Sequence, residues 1–393
     1  MALYGIYLFF FSKHIFNCKR ILYLNFFLAF ILILITSSFL SNLKISSLQT
    51  SVPYSLYYFY FIASIYIIHN WKEKNFNYFI LSIYISIVLL FCFSIFEYFT
   101  LVKNDQGELE YISRREGLKS LFSDKILGIY LIKILPIFIG MKMFLKQKFR
   151  YFDFIIILMI LIMLFYSFHR TSIIFFLFFI LLAFIIIAEI RKFISIIFIL
   201  SIITFIVSIN FFGDFSNSVV SKTKNQIFND TNYNFYPDHY TGHYKTSIKM
   251  IKKNLIFGTG PNTFKDLCSK KNYEVIYDEY FDIEKGKIVK LNSCSTHTHN
   301  FYLQIFSESG IFAFTLLIFF YIFIFKELLF CFLGKNNLQN NQFYKICLIS
   351  TFCNFLPIAP SVDFFNTYLN TILYLPCIFI LYFKLKFNNS FKS

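Results

Sequence analysis

Apolar residues fall into blocks of about 15–25 positions along almost the whole chain, and the recurring stretches of about 18–22 can each cross a hydrocarbon layer of roughly 30 Å as a helix. The blocks read as about ten spans: 21–40, 53–70, 77–99, 126–144, 152–168, 171–189, 193–212, 301–325, 345–359 and 366–384. Residues 1–12 are an eleventh apolar run, too short to be assigned a crossing and without the small-residue site of a cleaved signal peptide. Polar positions concentrate between the blocks, and one interval, 213–298, is long enough to fold on its own terms. The pattern predicts an all-α polytopic membrane protein with about 10–12 transmembrane helices and one large loop. The chain divides into an N-terminal bundle over 1–212, the loop over 213–298 and C-terminal spans over 299–393.

Composition supports the membrane reading. A mean hydropathy of +0.62 and 59 Phe in 393 residues leave more apolar surface than a water-soluble core can hide. The net charge of +16 could suggest nucleic acid. Its Lys and Arg lie instead in short clusters between spans, so no nucleic-acid partner is expected. Lys19-Arg20, Lys72 with Lys74, Lys146-Lys148-Arg150, Arg191-Lys192, Lys335 with Lys345, and Lys384 to Lys392 fall on alternate sides of successive spans. All therefore share one face, which the positive-inside rule makes cytoplasmic. The opposite, external face receives 100–125, the turn at His169-Arg170, the long loop and 360–365.

Six of the eight cysteines lie in or beside spans; Cys268 and Cys294 lie in the loop. An oxidising compartment would permit a bond between them, the favoured reading, with two unpaired thiols as the alternative. Within the loop, Tyr244 to Leu255 alternates apolar residues and Lys at helical spacing, predicting an amphipathic helix on the membrane surface or on the spans. Gly258-Thr-Gly260-Pro-Asn follows as a turn, with neither strand before it nor the third Gly of a dinucleotide site.

The segment Cys294 to Gly310 carries the most chemistry. Ser295 or Thr296 could cap a helix in which His297, Asn300, Gln304 and Glu308 share one stripe. A Glu at that depth requires protein or a wet cavity around it, so the stripe is expected to line a polar chamber. Three roles stand open for the pair His297 and His299: metal ligands with Cys294, structural caps, or a general base whose pKa lies near working pH. No second ligand cluster stands out, and no metal is expected. Arg170 interrupts the apolar run 152–189 and Arg115 precedes the span 126–144. Each could reach lipid headgroups or solvent, or grip a diphosphate through paired N–H donors.

Four pieces carry a resemblance: Arg115 with Gly117 and Phe122 to Tyr130; Ser167-Phe-His-Arg170-Thr-Ser172; Phe257 to Phe264; and His297-Thr-His299-Asn300-Phe-Tyr-Leu-Gln304 with Glu308-Ser-Gly310. In these the chain resembles the bacterial O-antigen ligase and O-antigen polymerase family of membrane glycosyltransferases; Asp363 to Asn366 is similar with less weight. The resemblance implies cofactor-free, metal-independent, inverting transfer of a glycan from undecaprenyl diphosphate to a sugar hydroxyl at the periplasmic face. The acceptor would be lipid A-core for a ligase or a second lipid-linked glycan for a polymerase. It implies His299, or His297 as second choice, as base, and Arg170 and Arg115 on the diphosphate. Asn300, Gln304, Glu308, Gly258, Gly260 and His243 are supporting, and the spans supply a lipid groove. Two positions depart from the family: His239 or His243 stands where many relatives have Arg, and Thr298 where many have Pro. A lipid-linked glycan flippase is the alternative of another class, disfavoured because few ionisable residues lie within the spans.

Overall fold

The computed structural model describes residues 1–11, 22–103, 109–111, 117–122, 126–211, 215–224, 238–282, 287–335, 338 and 341–387. Each predicted span is helical: α2 (Leu22–Leu40), α3 (Lys44–His69), α4 (Glu73–Phe99), α5 (Leu127–Phe144), α6 (Tyr151–Tyr166), α7 (Arg170–Ile186) and α8 (Arg191–Phe211) follow α1 (Ala2–Phe11). After the loop helix α9 (Asp238–Lys253) come α10 (Phe301–Phe332), α11 (Gln342–Asn354), α12 (Thr367–Leu373) and α13 (Leu375–Phe387). Six stretches are long and apolar enough to cross a membrane: 44–69, 73–99, 127–144, 188–210, 301–332 and 367–386. Shorter apolar helices at 24–40, 151–166 and 170–186 accompany them. The chain is an all-α polytopic membrane protein.

Burial explains the hydropathy of individual helices. α5 is apolar all round because it is surrounded on all sides, buried almost continuously from Leu127 to Lys142. α11 is short for a crossing and lies inside the bundle, packed on α5, α7, α10 and α13. α4 and α8 leave most of their surface, including Phe96, Phe99 and Ile199, to the surroundings.

Hydrogen bonds sort the connections into two ends. At one, Leu118 N–H meets Tyr166 O at 2.8 Å, the Ser41 hydroxyl meets Thr259 O at 2.5 Å, and Ser361 N–H meets His299 O at 2.9 Å. This is the loop face. At the other, Lys142 pairs with Asp153 at 3.1 Å and Lys384 with Glu327 at 2.6 Å. Of the basic clusters, Lys19, Arg20 and Lys392 lie outside the described residues.

Two hairpins were not foreseen. β1 (Leu101–Lys103) pairs with β2 (Leu109–Tyr111), and β3 (Ile276–Asp282) pairs antiparallel with β4 (Lys287–Asn292) through a register shift between Ile276 and Asp278. The second hairpin delivers the chain to Ser293 and the histidine segment.

The longest helix is interrupted. Gly310, at φ 78° and ψ −174°, leaves helical geometry and splits α10 into a short head, 301–309, and a membrane-length shaft, 311–332. At about 1.5 Å per residue the shaft extends about 33 Å. Non-helical backbone at that depth is tolerable only when protein satisfies it, and the loop does so. Thr259 N–H donates to Ser307 O at 3.0 Å, Gly260 N–H to Glu308 O at 2.7 Å, and Ile311 N–H to Leu255 O at 3.0 Å. The two chains lie so close that a Cβ on Gly310 would sit 2.0 Å from Ile256 O, and one on Gly258 2.3 Å from Glu308 C.

Candidate functional site

The histidine segment does not belong to the helix. α10 begins at Phe301, and its cap is Asn300, whose Oδ1 accepts Tyr302 N–H at 3.0 Å and Leu303 N–H at 3.1 Å. The expected cap by Ser295 or Thr296 and the expected helical stripe through His297 are therefore corrected. Asn300 outcompetes them because its amide also donates to Pro357 O at 2.7 Å, pinning the helix start to the chain after α11. His299 adopts φ 56°, a left-handed backbone conformation that turns the chain just before the helix begins.

Three imidazoles and a phenol meet there. The His299 ring centroid lies 4.0 Å from that of His297, 5.4 Å from His243 and 4.8 Å from Tyr240. Tyr240 and His243 share the inner face of α9, one helical turn apart. The Arg170 guanidinium, at the first position of α7, opposes the rise that burial imposes on the Tyr240 phenol pKa, so it acts on the same cluster. Its Nη1 donates to Thr223 Oγ1 at 3.4 Å.

Hydrogen bonds distinguish the histidines. His297 Nε2 donates to Ser361 O at 3.4 Å and its Nδ1 accepts from Thr296 Oγ1 at 2.9 Å. Both nitrogens are therefore engaged by the protein. His243 Nδ1 donates to Ser293 O at 2.7 Å, which places the acceptor lone pair on Nε2. His299 Nε2 faces the hydroxyl of Ser295 at 3.3 Å, a partner able to donate or accept. Burial holds His297 below its ordinary pKa, opposed by the Asp363 carboxylate and the Ser361 carbonyl. Burial likewise lowers His243, opposed by Ser293 O. Both rings are thus biased toward the neutral form.

Gln304 and Glu308 play a different part from the one expected. Neither lines an open chamber; both are fully buried. Glu308 receives backbone N–H groups of the Gly-Thr-Gly-Pro-Asn turn, from Asn262 at 3.0 Å and Phe264 at 2.8 Å, and Gln304 Nε2 at 3.2 Å. Gln304 also donates to Asp363 Oδ1 at 2.7 Å and accepts Phe364 N–H at 2.9 Å. The polar residues the periodicity aligned are satisfied by folded-back loops rather than by a cavity, because a buried carboxyl needs donors and backbone N–H groups supply them.

Gly258 and Gly260, at φ 69° and 109°, turn the chain on to Glu308. Gly117, at φ 78°, is pressed against Ser167 O, which seats the segment after residue 116 beside the loop that presents Arg170. Arg115 itself lies outside the described residues, as does the side chain of His239. Cys268 and Cys294 are disulfide-bonded, tying the turn after Phe264 to the strand end before the histidines. Among the described residues no group of three or more His, Cys, Asp or Glu is arranged to hold a metal ion.

Sequence reasoning missed Tyr240, Ser361 and the hydroxyls of α2. Tyr240 lies just before the stretch read as amphipathic, but its three-residue spacing from His243 was a usable signal. Ser361 and Asp363 sit in a short polar interval between spans, where Asp363 drew notice only by resemblance. Ser37 donates to Phe257 O at 2.6 Å; a Ser inside an apolar run gives no hint of such a partner.

Beneath this layer an apolar cleft of about 520 Å³ runs between α2, α10 and α13. It extends from Phe355 and Phe364, beside Asp363, toward Lys326 and Glu327, with Phe30, Leu317 and Leu381 among its walls.

Residues 154–318 match the family model described as O-antigen ligase. Over that segment the chain is similar to the O-antigen ligase family, and the segment holds Arg170, His243, His297, His299, Gln304 and Glu308. Arg115 precedes it and Asp363 follows it. No curated protein and no solved structure matches the chain.

Proposed function

We propose that this protein transfers a glycan from a polyprenyl-diphosphate donor to a saccharide hydroxyl at the periplasmic face of a bacterial inner membrane, acting as an O-antigen ligase on lipid A-core. The observation that carries the reading is the placement of His299 beside Tyr240, on whose phenol the Arg170 guanidinium acts, at the loop end of a multi-span bundle. The family match supports membrane glycan transfer of the ligase or polymerase type.

The chemistry follows from the parts. The acceptor oxygen attacks the anomeric carbon as the bond from that carbon to the diphosphate oxygen breaks, inverting the centre. The acceptor proton passes to His299, whose Nε2 faces an adjustable serine hydroxyl. His297, with both nitrogens held by protein groups, orients the segment. Arg170 and Arg115 offset the charge that grows on the departing polyprenyl diphosphate. Glu308, Gln304 and Asn300 hold the turn and the helix start that place the histidine. The apolar cleft accommodates the polyprenyl chain, since its upper end at Phe364 adjoins Asp363. No cofactor has a part in this scheme.

Complementation tests it. The chain is expressed in one strain lacking its ligase and another lacking its polymerase, each with matched donor glycan. Glycan joined to core in the first strain is expected. Long chains restored only in the second would make the protein a polymerase. Silence in both, with membrane insertion confirmed, would refute transfer of these donors. His299→Ala should lower purified transfer by about 10²–10⁴-fold; a wild-type rate would remove His299 as the base.

A further inference from the structure

The loop helix α9 has two unlike faces. Its inner face buries His243, Thr246, Ser247 and Met250 against Ser293, Phe264 and the histidine segment. Its outer face carries Lys245, Lys249, Lys252 and Lys253, all exposed, and at about 100° per residue they fall within an arc of about 100°. Lys249 Nζ donates to Glu274 O at 2.7 Å, and Lys253 lies 5.3 Å from the Tyr273 ring. Among the described residues no carboxylate stands within ion-pair distance of any of the four. Four exposed cations on one face with no ion pair among them repel one another, so the face is suited to an anionic partner.

The chain leaving α9 says where that partner lies. Leu255, Ile256 and Phe257 are exposed in succession, and the Phe257 ring is 6.4 Å from the exposed Phe312. Phe312 is the second residue of the membrane-length shaft of α10. The Ser37 hydroxyl holds Phe257 O, so the trio also adjoins the end of α2, where Phe39 and Leu40 are exposed. The lysines therefore stand just above a rim of apolar side chains at the mouth of a transmembrane shaft. Cations at headgroup level over apolar residues at acyl level is the arrangement of an interfacial anchor.

We infer that the outer face of α9 is a binding site for anionic lipid headgroups: Leu255, Ile256 and Phe257 enter the acyl boundary and the lysine row receives lipid phosphates. The consequence for the molecule is positional. A lipid-held outer face steadies the inner face, on which Tyr240 and His243 rest against His299. The inference does not depend on the proposed transfer activity.

The test uses the full chain in nanodiscs of phosphatidylcholine alone or with about one-third phosphatidylglycerol, reading amide hydrogen exchange over 238–257. Exchange should slow about fivefold in the anionic discs, as expected for several lysines at a charged surface. The protection should vanish at high salt and in the fourfold Lys245→Gln, Lys249→Gln, Lys252→Gln, Lys253→Gln variant. The matching fourfold Lys→Arg variant should retain it, which separates charge from side-chain identity. Equal exchange in the two discs would overturn the inference. Equal protection by inorganic phosphate in neutral discs at matched ionic strength would also overturn it, by showing a phosphate site that needs no lipid.

Discussion

Glu308 accepts the backbone N–H of Phe264 at 2.8 Å, across 44 residues of chain, from a position buried at the head of α10. Its second oxygen accepts Asn262 N–H at 3.0 Å. One side chain thus holds the turn that the broken helix packs against. Glu308→Ala would leave two buried donors unsatisfied and should destabilise the protein by about 2–4 kcal/mol. Glu308→Gln keeps one acceptor and should cost about half as much. Unfolding midpoints of the purified protein in detergent decide this; an unchanged midpoint for the Ala variant would contradict it.

Arg170 is expected to be sensitive to shape as well as charge. Its guanidinium reaches Thr223 and acts on Tyr240, and a lysine ammonium cannot offer paired parallel donors. Arg170→Lys should cut transfer at least about tenfold while leaving the unfolding midpoint within about 0.5 kcal/mol of wild type. Transfer at the parental rate would show that charge alone suffices. Tyr240→Phe, which keeps the ring against His299, should retain more activity than Tyr240→Ala.

The buried histidines predict a pH dependence of stability. Burial places His243 and His297 below their ordinary pKa near 6.5. Around that pH the unfolded chain therefore binds more protons than the folded one, and stability rises with pH. Their contribution is complete above about pH 6.5 and is lost as pH falls through the lower folded values. The unfolding midpoint should decline between about pH 7 and pH 5, and His243→Asn, which keeps a donor toward Ser293 O, should flatten that decline. An identical slope in the variant would exclude His243 as a contributor.

The bond between Cys268 and Cys294 closes a loop containing the second hairpin, with a sequence separation of 26. Constraining the unfolded loop should stabilise the protein by roughly 3 kcal/mol. Cys268→Ser or reductant should lower the unfolding midpoint and shift non-reducing electrophoretic mobility. No change on reduction would show that the two thiols are separate in the isolated protein.

Much was legible in order of residues alone, and the reason is lipid. A helix crossing hydrocarbon must be apolar over a set length, so composition within 22–40 or 127–144 suffices to place it without knowledge of any neighbour. The amphipathic helix could be read for the same reason, because one face meeting protein and the other water or headgroups imposes a local period. The four motifs were legible as a resemblance, and the match over 154–318 falls on three of them. What the order of residues left open depends on contacts between distant segments. Helical periodicity aligned His297 with Glu308, yet the chain turns at His299 and begins its helix at Phe301, because Asn300 and His299 are held by Pro357 and Ser361, in the distant segment after α11. Glu308 was legible as a costly buried acid but not as the clasp of a turn 44 residues away. Nor could Gly310 be told from an ordinary helical glycine, since its φ of 78° goes with the close approach of the Ile256 backbone, a segment distant in sequence. Hydrophobic burial in a bilayer is a local demand, which sequence records; the satisfaction of buried polar groups is a meeting of distant partners, which tertiary structure alone decides.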